Sequence, residues 1–307
     1  MRIVYLGTPD FAVKPLENLI NNGENVVAVI TNKDKPVGRK QVLTACPVKQ
    51  FAISKNIPVY SYDKIRVEGV EDLKALKPDL MITCAFGQIL SKEILDIPSL
   101  YTLNIHASIL PKYMGASPIH FAILNGENKT GVTIMKTDEG IDTGDMLISK
   151  EVDIVDNETM GELFEKLSTV GADLIIEALE LVKKGKANFI KQDDEKATFS
   201  KVIKKEMAKI DWAKKNYEII NQIRAFNPSP VAFTILNGEP FKIYSAVLDE
   251  REGNVGEVIE NDKELVIGTG YKSISLKKVQ KAGGKPLDIL DFLRGNMIEK
   301  GFVFNND

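Results

Sequence analysis

Cysteine, histidine and tryptophan are scarce in this 307-residue chain, which has two, two and one of them. Cys46 and Cys84 are too few for a disulfide framework and lack metal-ligand spacing, and Cys84, inside an apolar run, reads as core. No apolar run approaches the roughly 18 residues that span a bilayer. The opening Met1-Arg2-Ile3-Val4-Tyr5-Leu6-Gly7 is too short for a signal sequence and runs straight into a turn and helix, so the expected location is cytoplasmic. An excess of one charge is also missing: 40 basic residues face 43 acidic ones, a formal charge of -3. Composition therefore announces no nucleic-acid partner, and a claim for one must rest on local features. No internal repeat or low-complexity segment stands out, and the length suits two domains, each with its own core.

What is present changes along the chain. The first half alternates short apolar runs with helical patterns, which predicts a parallel sheet with crossover helices. Strands are expected at Ile3 to Leu6, Val26 to Ile30, Pro58 to Tyr60, Leu80 to Cys84, Thr102 to His106, Val132 to Lys136 and Met146 to Val152, closed by a long helix from Met160 to Lys184. A polar, lysine-rich stretch follows, which marks a linker between domains. Beyond it, after a helical piece around Tyr217 to Phe226, β-rich runs separated by Gly, Asn and Asp turns predict a small antiparallel β-barrel. The expected domains are 1–188, a basic linker 189–206, and 207–307.

The first strand enters Gly7-Thr8-Pro9-Asp10-Phe11-Ala12, the strand, turn and helix setting of a Rossmann-like α/β fold. The second and third glycines that let a backbone approach a pyrophosphate are missing, so a nicotinamide cofactor is not expected.

The most informative stretch is Asn104-Ile105-His106-Ala107-Ser108-Ile109-Leu110-Pro111, with Gly140-Ile141-Asp142-Thr143-Gly144-Asp145 some thirty residues on. Side chains alternate across a strand, so Asn104 and His106 project to one face while Leu103 and Ile105 anchor the other. An amide, an imidazole and a carboxylate can then converge on one carbonyl. A lone histidine at a strand end is commonly structural; the neighbouring amide and the downstream carboxylate loop favour catalysis. Asp138, Glu139 and Asp145 compete with Asp142 and invite a calcium-loop reading, but the spacing does not fit and no Glu closes the loop, so no metal is expected. The other histidine, His120, sits on an apolar helical pattern and reads as structural or pocket-lining.

These pieces, with Lys35-Pro36-Val37-Gly38-Arg39-Lys40, Pro47-Val48-Lys49, Ile210-Asp211-Trp212 and Arg224-Ala225-Phe226-Asn227-Pro228, resemble the folate-dependent formyltransferases over nearly the whole chain. The resemblance implies a Rossmann-like catalytic domain and a barrel of the oligonucleotide-binding (OB-like) type. It implies transfer of a formyl group from 10-formyltetrahydrofolate, a cosubstrate, to the α-amine of methionine on initiator tRNA. Asn104 would be the amide donor, His106 would stabilise the intermediate and relay protons, and Asp142 would pair with His106 and assist removal of the amine proton. Ser108, Ile109, Leu110 and Pro111 would contact the folate, with Phe86, Gly87, Gln88, Ile89 and Leu90 completing the cleft. The loop 32–41 is longer and more basic than its connecting task needs, and Arg39 occupies the family's tRNA-recognition position. With Lys40, and with Lys201, Lys204 and Lys205 of the basic linker, it is a candidate tRNA contact; the plain reading of these lysines is a solvated surface. Two departures stand out: Met114 and Ser229 occupy positions where related enzymes carry Arg and Trp. A nucleotide-sugar formyltransferase acting on UDP-aminoarabinose shares most of these motifs and is the nearest alternative, and a noncatalytic RNA-binding protein is a remote one. A monomer is expected.

Overall fold

The structure, a computed structural model, describes residues 1–38 and 40–305. Arg39 lies outside the described residues. In chain order the first elements are β1 (Arg2–Gly7), α1 (Val13–Asn21), β2 (Asn25–Asn32), β3 (Lys35–Val37), β4 (Val42–Thr44), α2 (Pro47–Ser54) and β5 (Val59–Tyr62). They are followed by α3 (Ile65–Glu68), α4 (Val70–Leu76), β6 (Leu80–Cys84), α5 (Lys92–Leu95), β7 (Tyr101–His106) and β8 (Met114–Gly115). Then come α6 (Pro118–Leu124), β9 (Lys129–Lys136), β10 (Met146–Asp153), α7 (Met160–Lys183) and β11 (Phe199–Ser200). The remainder is α8 (Asn216–Ala225), β12 (Ala232–Leu236), β13 (Glu239–Asp249), β14 (Val258–Glu260), β15 (Leu265–Gly268), β16 (Ser273–Gln280), β17 (Leu287–Asp288) and α9 (Ile289–Gly295). No helix among the described residues is long and apolar enough to cross a membrane.

The chain divides into two compact units. The first comprises residues 1–118, 130–152 and 164–201, the second 119–129, 153–163 and 202–307. The first unit is built on a seven-stranded sheet in the order β10-β9-β7-β6-β1-β2-β5. The strands from β5 to β7 run parallel, as the alternation of apolar runs and helical patterns predicts, but β9 joins β7 antiparallel. Ile3, Val4, Tyr5, Leu6, Leu80, Met81 and Ile82 have no exposed surface, the expected state of central strands covered on both faces. After β1 the chain builds outward through β2 to β5, then returns to place β6 on the other side of β1. The carboxyl ends of β1 and β6 thus form the switch point at which open α/β sheets bind ligands.

Two local features depart from the sequence expectation. Within and just beyond the segment expected as the loop 32–41, Lys35–Val37 and Val42–Thr44 pair as the antiparallel strands β3 and β4, from Lys35↔Thr44 to Val37↔Val42. All six strand residues are exposed, so the pair has no buried face to write an alternating pattern into the sequence. The segment 189–206, expected as a linker, does not run free over most of its length: Ile190 bridges Met146, and β11 pairs with β8 in parallel. Gln192, Thr198 and Ser200 within it bond to backbone, as described below, while its lysines are exposed.

The second unit is an antiparallel sheet in the order β12-β13-β16-β15-β14, with β17 on β16. Register shifts in the long β13 and in β14 let the sheet curl, as bulges do. Trp212, Phe241, Ile243, Leu265, Ile267, Ile274, Leu276, Phe292 and Phe304 fill its core. The Trp212 indole N–H donates to the Thr234 hydroxyl at 3.1 Å, so its one polar atom is satisfied inside that core. His120, on α6, lies with its ring 6.3 Å from that of Phe226, and burial lowers its pKa, as suits a packing residue.

Candidate active site

Strand β7 delivers Asn104 and His106 to the carboxyl end of the first unit's sheet. Leu103 and Ile105 are buried on the opposite face, so the alternation of the strand fixes the direction of the polar pair. The amide oxygen of Asn104 accepts from the Thr83 hydroxyl on neighbouring β6 at 2.9 Å. That bond sets the amide flip and turns its nitrogen toward Asp142, to whose Oδ1 it donates at 3.3 Å. The second N–H of the Asn104 amide has no partner among the described residues.

His106 is 5% exposed. Its Nε2 lies 3.1 Å from the Tyr113 carbonyl oxygen, which can only accept, so Nε2 carries the hydrogen. Nδ1 then faces Asp142, 3.5 Å from Oδ2, within ion-pair range once the ring takes a second proton. The same Oδ2 accepts from the Gly115 backbone N–H at 2.8 Å. Asp142 is therefore the hub of the site, touched by the amide, the imidazole and a loop N–H. It sits at φ 56°, in the left-handed region that aspartate tolerates better than most residues. Of its rivals, Asp138 accepts from the Thr143 hydroxyl and the Gly140 N–H, closing the loop on itself. Among the described residues no cluster of His, Cys, Asp and Glu has the arrangement of a metal site.

The segments expected to hold the folate lie in the same unit. Ser108 and Leu110 are buried; the Ser108 hydroxyl donates to the Lys112 carbonyl at 2.6 Å, and Leu110 packs with Met114 and Met135. Phe86 and Leu90 belong to the core beside β1 and β2. The Gln88 side chain is used within the protein: it donates to Asn32 Oδ1 at 2.5 Å and to the Tyr62 carbonyl at 3.0 Å, and accepts from the Ile65 N–H. Gly87 and Ile89 are exposed, and Ile109 and Pro111 are half-buried. Met114 is buried in the apolar cluster with Leu110 and Met135 and serves packing. Cys84, one residue beyond Thr83, is buried and its thiol is pushed up to about 12 by burial, which removes it as a nucleophile. Lys40, Lys201, Lys204 and Lys205 are exposed.

Residues that sequence reading missed complete the site. Thr83 was concealed inside the apolar run of β6, where a lone hydroxyl is the only signal. Gln192 is 5% exposed and donates to two carbonyls of the Asp142 loop. Nothing in its polar, aperiodic surroundings marks it.

An amide, an imidazole and a carboxylate thus meet at the carboxyl end of β7, in a chain whose family is that of a group transferase. Residues 1–179 match the formyl transferase family and residues 202–297 its C-terminal domain. The chain belongs to the formyl transferase family. Proteins named methionyl-tRNA formyltransferase from Alkaliphilus metalliredigens and Bacillus subtilis are 43% and 45% identical to it, over 100% of this chain and 99% of theirs. The crystal structure of the N-formyltransferase from Helicobacter canadensis, in complex with folinic acid and dTDP-3-aminofucose, superposes with a TM-score of 0.68 at 26% identity, covering 91% of this chain and 98% of that one.

Proposed function

We propose that the chain transfers a formyl group from 10-formyltetrahydrofolate to the α-amine of methionine on initiator tRNA, with residues 1–188 as the catalytic domain, 189–206 as a basic connection and 207–307 as a tRNA-binding domain. The observation that carries the reading is the convergence of Asn104 and His106 on Asp142, in a chain aligned end to end with relatives named for that activity.

Moving a formyl group from one nitrogen to another builds negative charge on the formyl oxygen while the new C–N bond forms. The attacking amine must lose a proton and the departing nitrogen must gain one. Asn104, with one N–H still available, is suited to donate to the oxygen where charge develops. His106 and Asp142 lie side by side to receive the proton from the amine and return it to the leaving nitrogen, with the carboxylate stabilising the imidazolium that forms. An α-amino group ordinarily titrates near 8, so the nucleophile needs little activation near neutral pH. The folate is assigned to the surface formed by Gly87, Ile89, Ile109 and Pro111, over the buried Phe86, Gln88, Leu90, Ser108 and Leu110. The group is a cosubstrate, and the reaction as written needs no metal.

The nucleotide-sugar alternative finds its support in the Helicobacter canadensis enzyme and its bound aminofucose. Identity to it is 26%, against 43% to 45% for the tRNA-acting relatives. The Pro36-Val37-Gly38-Arg39 segment and Pro47-Val48-Lys49 also favour tRNA. The acceptor half of the reading is tested by measuring affinity for charged initiator tRNA as salt rises. Log affinity is expected to fall linearly with log salt. Replacing Lys201, Lys204 and Lys205 by Ala should weaken binding and flatten the slope by about 0.7 to 0.9 for each phosphate that is no longer neutralised. Affinity indifferent to salt would sink the assignment of these lysines.

A further inference from the structure

We propose that Gln192 is the positioning residue for Asp142, and that the segment 190–200 is a strap that ties together the two loops carrying the hub of the site. The proposal rests on the formyl-transfer reading above.

One end of the strap holds the Asp142 loop. Ile190 and Met146 exchange backbone hydrogen bonds of 2.8 Å. Two residues on, the buried Gln192 Nε2 donates to the Asp142 carbonyl at 2.7 Å and to the Gly144 carbonyl at 2.8 Å. An amide nitrogen has two hydrogens, and both are used to grip the backbone on either side of Thr143. The loop has little other freedom: a Cβ on Gly144 would stand 1.8 Å from the Lys136 carbonyl oxygen, and Asp142 itself holds a positive φ that persists only where surroundings over-determine it. Gln192 therefore fixes the direction in which the Asp142 carboxylate leaves the backbone.

The other end holds the loop that meets that carboxylate. Thr198 accepts from the Met114 N–H through its carbonyl at 2.9 Å and from the Tyr113 N–H through its hydroxyl at 2.8 Å. The Ser200 hydroxyl donates to the Met114 carbonyl at 3.1 Å and accepts from the Ser117 N–H at 3.1 Å. The loop so held presents Gly115 N–H to Asp142 and the Tyr113 carbonyl to His106. One continuous stretch thus sets both sides of the hub, although among the described residues the polar partners of Asn104, His106 and the Asp142 carboxylate lie outside it. Reacting groups misplaced by about 1 Å can lose about 10²-fold in rate, so the grip should register in turnover more than in binding.

The test is a double-mutant cycle on the full chain. Gln192→Met keeps length and volume and removes both donors; Asp142→Asn keeps shape and removes the charge. Single-turnover formyl transfer is measured for wild type, both single variants and the double variant, with melting temperature and folate affinity alongside. In the wild-type background Gln192→Met should slow transfer at least tenfold while KM for each substrate stays within threefold. In the Asp142→Asn background the same change should cost less than twofold, because the group it positions is already disabled. Equal losses in both backgrounds, or no loss in either, would overturn the proposal. If Gln192→Met does not fold, Gln192→Asn, which keeps the amide but cannot reach both carbonyls, takes its place with the same expected pattern. Wild-type turnover on tRNA and on an aminated nucleotide sugar is measured first. A failure of the tRNA reading then shows as a change of acceptor, and the cycle proceeds with whichever amine is formylated.

Discussion

Asn104→Ala, His106→Ala and Asp142→Ala are each expected to lower the single-turnover rate of formyl transfer by about 10² or more, with the fold retained. The size follows from the geometry. Removing Asp142 leaves the Asn104 amide, the His106 Nδ1 and the Gly115 N–H without their common partner, so one change disturbs three groups. Removing Asn104 takes away the amide suited to the developing oxyanion and leaves the Thr83 hydroxyl to the Leu103 carbonyl, 3.2 Å away. Removing His106 leaves Asp142 in place with no imidazole to exchange protons. The apolar anchors of the strand, Leu103 and Ile105, are untouched in all three, and melting temperature should confirm that the sheet survives. Rates within a few-fold of wild type at saturating substrate would show that the three residues are structural.

Arg39→Ala is expected to reduce catalytic efficiency on charged initiator tRNA by at least tenfold while folate affinity hardly changes. Arg39 lies outside the described residues, within the basic sequence Lys35-Pro36-Val37-Gly38-Arg39-Lys40. Strands β3 and β4 expose Val37, Val42 and Leu43, and Lys35 and Lys40 are exposed as well. Exposed apolar residues mixed with cations suit an ordered approach to a large, charged acceptor. A guanidinium offers paired donors to phosphates or base edges, which an ammonium cannot reproduce, so Arg39→Lys should recover only part of the activity. The measurement sets tRNA efficiency beside folate affinity for all three proteins, and full activity in Arg39→Ala would remove a main reason for preferring tRNA over a nucleotide sugar.

The central strands were legible because burial writes itself into composition. Leu80–Cys84 reads as an apolar run and is a strand over the same residues; Thr102 to His106 alternates and its polar face is where the site forms. Asn104, His106 and Asp142 stood out by type, by spacing and by resemblance. What stayed hidden has no such signature. The exposed strands Lys35–Val37 and Val42–Thr44 bury neither face, so no period marks them. Residues 190–200 fold against the Asp142 loop and the 113–117 loop through hydrogen bonds to backbone, which any polar segment can make and no periodicity announces. The antiparallel entry of β9 depends on how residues 107–128 return the chain, a tertiary matter beyond local pattern. The internal partners of the Gln88 amide, Asn32, Tyr62 and Ile65, are likewise tertiary and carry no local signal.

The most direct measurement offers the protein 10-formyltetrahydrofolate with charged initiator tRNA and an aminated nucleotide sugar in the same vessel and identifies the formylated product by mass. The account predicts N-formylmethionyl-tRNA, formed at a rate that collapses in Asp142→Asn. Formyl groups found on the sugar alone, or formate released with neither amine modified, would contradict it.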